Sequence, residues 1–122
     1  MFYEQIAIAY LMKASKDAAH TDELAQQAVT YFDKYLAARQ KNDIDIELYS
    51  AGRGFESAGD LSTKNRCLYY ERAIRAFNEE AASIQGESYT AYGTTIPLAP
   101  VREENRQSLE GVQAKYAKAG CK

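Results

Sequence analysis

Residues 67–84, CLYYERAIRAFNEEAASI, carry the most regular pattern in the chain and point to its fold class. Cys67, Tyr70, Ile74, Phe77, Ala81 and Ile84 recur at intervals of three, four, three, four and three. With about 3.6 residues per turn, that spacing draws one continuous seam along a single helical face. Glu71, Arg75 and Glu79 stand at successive i,i+4 positions and make a solvated charge ladder. Asp60 or Ser62 can cap the start of this helix, and Gly86 sits where a left-handed C-terminal cap belongs. The pattern predicts a helix over 63–85.

On the C-terminal side, ESYTAYGTTIPLAP (87–100) is polar, rich in hydroxyls and holds both prolines, so it reads as a loop. Pro100 suits the first position of a last helix, with Glu103 and Glu104 in its first turns, where the helix dipole favours negative charge. Val101, Leu109, Val112, Tyr116 and Ala119 line that helix, Lys115 and Lys118 lie near its end, and Gly120 stops it, giving a helix over 100–119.

On the N-terminal side, YSAGRGFESAGD (49–60) brings Gly52, Gly54 and Gly59 close together, which lowers helix propensity and suggests broken turns. DIDIEL (43–48) alternates apolar and acidic residues, a period of two that suits a strand, so residues 44–49 are open between a short strand and a short helix. An irregular crossover over 42–61 is expected.

Two further helices precede it. Tyr3, Ile6, Ala7, Tyr10, Leu11, Ala14 and Ala18 mark a helix over 2–19, and Leu24, Ala28, Tyr31, Phe32, Tyr35 and Leu36 mark another over 21–41. Thr21 is the expected N-cap of the second, with Asp22 and Glu23 in its first turn. Twenty alanines and only two prolines favour helix throughout. No fixed-period repeat is present. The expected fold is therefore all-α, a single domain over 1–122 built as an antiparallel bundle of four main helices (2–19, 21–41, 63–85 and 100–119) with an irregular crossover.

The chain has two cysteines. If the last two helices are antiparallel neighbours joined through the 86–99 loop, Cys67 at the start of one meets Cys121 at the end of the other. A Cys67–Cys121 disulfide is expected, and with it an oxidising compartment, periplasmic or secreted, since such bonds persist there; free thiols would instead place the protein in the cytoplasm. IAIAYLM (6–12) lacks the basic flank of a secretion signal and reads as core helix, so export implies that a signal segment was removed.

Composition narrows function. Fifteen Lys and Arg are spread along the chain against seventeen Asp and Glu, for a net charge of −2, which disfavours the positive stripe that nucleic-acid or anionic-membrane binding needs. No apolar run approaches the ~20 residues of a membrane-spanning helix. His20 is the only histidine, and no Cys-x-x-Cys pair, Gly-rich phosphate loop or Gly-x-Ser-x-Gly elbow occurs, so no metal, cofactor or nucleophilic catalyst is expected. Asp45 with Glu47 and Glu79 with Glu80 read as solvated charge rather than acid and base.

Ten tyrosines and no tryptophan stand out. Those in helices suit amphipathic packing, the ring inside and the hydroxyl in water. Those between helices suit contact with a partner: Tyr49, Arg53 and Phe55 in one segment, Tyr89 and Tyr92 among Ser, Thr and Gly in the other. Rings with few rotors lose little entropy when fixed, and the surrounding hydroxyls and glycines can adapt. The sequence thus suggests a small exported, non-catalytic binding protein, such as an inhibitor, immunity-type factor or adaptor. A structural or self-assembling homo-oligomeric subunit is the alternative, and a cofactor-free enzyme a third reading.

Overall fold

The computed structural model describes residues 2–40 and 45–122. Five helices are present, α1 (Tyr3–Ala14), α2 (Thr21–Ala38), α3 (Ile46–Leu61), α4 (Arg66–Ser83) and α5 (Ala99–Lys118), with a two-stranded antiparallel sheet of β1 (Ser88–Ala91) and β2 (Thr94–Pro97) before the last. The chain is mostly helical, as its patterning requires, and it adds a helix and a hairpin to the four helices expected.

The added helix is α3. The crossover expected over 42–61 is continuous helix from Ile46 to Leu61, so the alternation over 44–49 resolves to helix from Ile46 onward; residues 42–44 lie outside the described residues. Its three glycines do not break it, because each faces an aromatic ring at close approach. A Cβ on Gly52 would stand 2.8 Å from Phe77, one on Gly59 2.5 Å from Tyr70, and one on Gly54 would overlap the Phe32 ring. The glycine surface that lowers intrinsic helix propensity is thus what lets α2 and α4 pack tightly on α3.

The other bounds shift by a few residues. The first helix ends at Ala14, five residues before expected, where the Ser15 hydroxyl donates to the Met12 carbonyl (2.7 Å). Thr21 is the first residue of α2 rather than its cap: His20 holds the N-cap position, and the Thr21 hydroxyl donates back to the Asp17 carbonyl at 2.9 Å, tightening the α1–α2 turn. Asp22 works across the molecule. Its carboxylate accepts from the Ser62 hydroxyl (2.6 Å) and from the backbone N–H groups of Thr63 and Lys64 (3.0 and 3.1 Å), which fixes the α3–α4 turn and holds Asp22 below the usual carboxylate range. Ser62 in turn accepts from the N–H of Asn65, the N-cap residue of α4.

Each helix packs on its neighbours in sequence, and α3 also touches α1 and α5. Cross-helix pairs such as Asp22 with Ser62, and Gly59 with Tyr70, make the successive helices antiparallel. Among the described residues α1 and α5 meet at most marginally, and five helices stand where a bundle of four was expected. One layer holds α1, α3 and α5; the other holds α2 and α4.

The core lies between the layers, around Phe32, Phe55 and Phe77. Burying each such ring contributes roughly 1.5–3 kcal/mol. Because α4 is covered by both α3 and α5, its buried face is wider than one seam: Tyr69, Tyr70, Ala73, Ala76, Phe77 and Glu80 are buried, while Cys67 and Ala81, expected on the inner seam, are exposed. Cys67 nevertheless meets Cys121, with sulfurs 1.99 Å and Cα atoms 5.5 Å apart, at the α4–α5 end where the antiparallel argument puts it. Among the described residues no helix is long and apolar enough to cross a membrane.

Candidate binding surface

The segment expected to be a loop after α4 is a hairpin with a two-residue turn. Tyr92 (φ 54°) and Gly93 (φ 76°) both adopt left-handed backbone, as the tight turn that matches strand twist requires. The Thr90 and Thr95 hydroxyls pair across the strands at 3.2 Å. At the foot, Tyr89 packs with Val101 on a small second core of Ile84 and Leu98, and Arg102 donates to the Gly86 carbonyl at 2.7 Å. Tyr89 is therefore an anchor for the hairpin, and Tyr92 is its tip, fully exposed at 105% with Ile96 exposed on the following strand.

Tyr49 and Arg53 lie one turn apart on α3, facing α5 and α1. The Tyr49 ring leans on Phe77 (centroids 5.6 Å apart), and its hydroxyl donates to the Glu104 carboxylate at 3.0 Å, shares a 3.0 Å hydrogen bond with Ser108, and accepts from Arg53 at 3.3 Å. Two recesses open on either side of this side chain. One, of about 350 Å³, runs between α1 and α3 past Glu4, Ile8, Ser50 and Arg53, with Phe32 of α2 at its base. The other, of about 100 Å³, lies between α3 and α5 and is lined by Ile46, Tyr49, Val101 and Glu104, with Glu80 of α4 at its base. Since Val101 belongs both to this recess and to the hairpin foot, Tyr49 and Tyr89 border one surface.

Comparison with protein-family models, with curated proteins and with solved structures finds no match to this chain.

Of the residues singled out in the sequence, Tyr49 and Arg53 line the recesses, Tyr89 anchors the hairpin foot beside Val101, and Tyr92 stands exposed at the hairpin tip. Phe55 does not: it is 1% exposed, edge-on to Phe32 (5.9 Å) and under the Arg72 guanidinium (4.5 Å), so it is a core residue beyond a partner's reach. The expected crossover loop had placed it outside, and the helix turns it inward. His20 is exposed and pairs with Asp17 at 3.1 Å.

Two carboxylates read from sequence as solvated charge are buried. Asp45, 6% exposed, pairs with Arg39 at 3.1 Å, and its N–H donates to the Ser83 hydroxyl oxygen. Glu80 is 2% exposed, and its Oε2 has no hydrogen-bond partner. Burial, with Glu104 and Asp45 nearby, pushes Glu80 up to about 7. A signal for it was present: Ala73, Ala76, Phe77 and Glu80 fall at spacings of three and four, so Glu80 shares the face of the helix's innermost residues.

The remaining helical tyrosines pack within the chain. Tyr10 stacks on Tyr31 at 5.7 Å, Tyr69 and Tyr70 are buried, and the Tyr70 hydroxyl donates to Asp60 at 2.7 Å. Burial and that carboxylate push Tyr70 up to about 12. Lys115 of α5 spans Glu56 (2.8 Å) and Asp60 (3.0 Å) of α3, holding these two helices in register.

Proposed function

We propose that this chain is a non-catalytic binding protein of an oxidising compartment, of the inhibitor, immunity or adaptor kind, which engages a protein partner through the surface running from the Tyr92 hairpin to Tyr49 and Arg53. The observation that carries this reading is Tyr92. A bulky residue in left-handed backbone costs about 1 kcal/mol relative to glycine, and this one makes its turn with the ring wholly in solvent. Asn or Gly would serve the turn better, so a tyrosine here is best explained by what lies outside the molecule. Tyr rings are common anchors at protein interfaces, and the cysteine pair supports a periplasmic or extracellular setting.

A photo-crosslinking residue placed at Tyr92, and separately at the exposed Ile46, should capture the same single polypeptide in cells that make the protein. The same residue at Lys34 of α2 or Glu71 of α4, both exposed on the other layer, should not. Capture from none of the four positions, or equally from all, would remove the assignment.

A second reading has its own observation. Ile8 and Met12, one turn apart on α1, and Phe2 at its start are exposed at 44%, 58% and 73%. A second copy of the chain covering this end helix would make a homo-oligomer. Sedimentation equilibrium showing a monomer at high concentration would dismiss it.

A further inference from the structure

The small recess between α3 and α5 has an unusual base. Glu80 is 2% exposed, and its Oε2 receives no hydrogen bond. A buried carboxylate without donors is strongly disfavoured unless it is neutralised or paired. The groups around it add no positive charge. Glu104 of α5 and Tyr49 of α3 share the recess with it, and Asp45, just before α3, is already engaged by Arg39. Among the described residues no cation pairs with Glu80. The walls, by contrast, are apolar: Ile46, Val101 and the Tyr49 ring.

An acidic base, apolar walls and a second carboxylate at the rim select a particular shape of guest. A free metal ion would gain nothing from Ile46 and Val101, and a neutral hydrocarbon would leave Glu80 unpaired. A volume of about 100 Å³ holds roughly three or four non-hydrogen atoms, taking ~30 Å³ for a water-sized group. That is the end of an alkylamine. We propose that this recess binds an alkylammonium group, its methylenes against Ile46, Val101 and the Tyr49 ring and its nitrogen between Glu80 and Glu104. The group could be delivered by a lysine side chain of the partner protein or by a free primary amine. Only the lysine source rests on the partner-binding reading; the pocket chemistry does not.

The pH behaviour follows from the same groups. Glu80 has to be ionised to hold the cation, and burial beside Glu104 and Asp45 pushes it up to about 7. Binding therefore displaces a proton below neutral pH. Affinity should rise by up to about tenfold per pH unit toward 7 and level off above it, until the amine itself deprotonates near its usual value of about 10.

The test is a titration of the intact, oxidised protein with n-propylammonium chloride, read from the methyl resonances of Ile46 and Val101 and the side-chain carboxyl of Glu80. Sodium chloride at equal ionic strength is the control. Saturable shifts with the amine alone, steepening from pH 6 to pH 7, are expected. Glu80→Gln should weaken binding at least tenfold and flatten its pH dependence. Glu104→Gln, an exposed change that leaves the core untouched, should weaken it by a smaller factor.

Lysine capped at both its amino and carboxyl ends separates the sources. Tighter binding than propylammonium, lost on acetylating its side-chain amine, identifies a lysine guest. Exclusion of the capped lysine while propylammonium binds identifies a free amine. No saturable shift with either amine, or equal binding by parent, Glu80→Gln and Glu104→Gln, would overturn the proposal. Amine binding without any crosslinked partner would uphold the pocket and reject the protein-binding reading.

Discussion

Glu80 is a single carboxylate whose position sets a pH dependence for the whole fold. An acid with a folded pKa above its unfolded one binds more protons in the native state, so stability falls as pH rises between the two values. Here the window runs from the ordinary 4.5 to about 7; below it both states are protonated, and above it both are ionised and the loss is complete. At ~1.4 kcal/mol per unit the full loss is roughly 3–4 kcal/mol. Urea denaturation should therefore give a lower stability at pH 8 than at pH 5, and Glu80→Gln should flatten that difference and raise stability at pH 8. An unchanged slope in the variant would mean that Glu80 ionises freely in the native state. A more stable variant that had also lost the amine would show that Glu80 is kept for binding at the expense of the fold.

At the scale of elements, α3 decides the architecture. Its glycines are contact points, and replacing one shows the difference between intrinsic propensity and packing. Gly54→Ala raises helix propensity by about 1 kcal/mol but drives a methyl into the Phe32 ring. Overpacking of this kind costs typically 1–3 kcal/mol, and the Phe32 ring is itself only 2% exposed, with little room to yield. Net destabilisation is expected, seen as a lower thermal midpoint; a higher one would show that α2 and α3 can move apart freely.

The same helix marks where the sequence was legible and where it was not. α4 and α5 could be read because their apolar residues repeat at helical spacing and Gly86, Pro100 and Gly120 punctuate them. The glycines of α3 carry two meanings, and only the rings opposite, from α2 and α4, select one of them. The hairpin was hidden by an unfavourable turn residue, since Tyr-Gly is not the Asn-Gly signal of such a turn. Tyr49 and Arg53 lie in what reads as a loop but is helix, Tyr49 against α5 and Arg53 toward α1. Phe55 was lost to the core, and Glu80 was missed because an acidic pair looks like a solvated surface until the facing helices are known.

Across the whole molecule, one covalent link joins parts that packing alone would leave loose at their ends. Cys67 and Cys121 are 54 residues apart in sequence, and closing a loop of that size restricts the unfolded chain by roughly 4 kcal/mol. Intact mass after alkylation should show no modified thiol until the protein is reduced. Reduction should then lower the denaturation midpoint, by up to that amount in free energy. Two thiols alkylated without reduction would return the protein to a reducing compartment.

The position of that bond also decides how the molecule would carry mechanical load. A pull on the two ends enters at the C-terminus and crosses at Cys121 to Cys67, so α4, the hairpin and α5 are bypassed. Only the first three helices could be drawn out, to roughly 230 Å rather than the roughly 410 Å of the fully reduced chain at ~3.4 Å per residue. The segment between the two cysteines, which bears the Tyr92 hairpin, would carry none of the load while the rest of the chain was stretched.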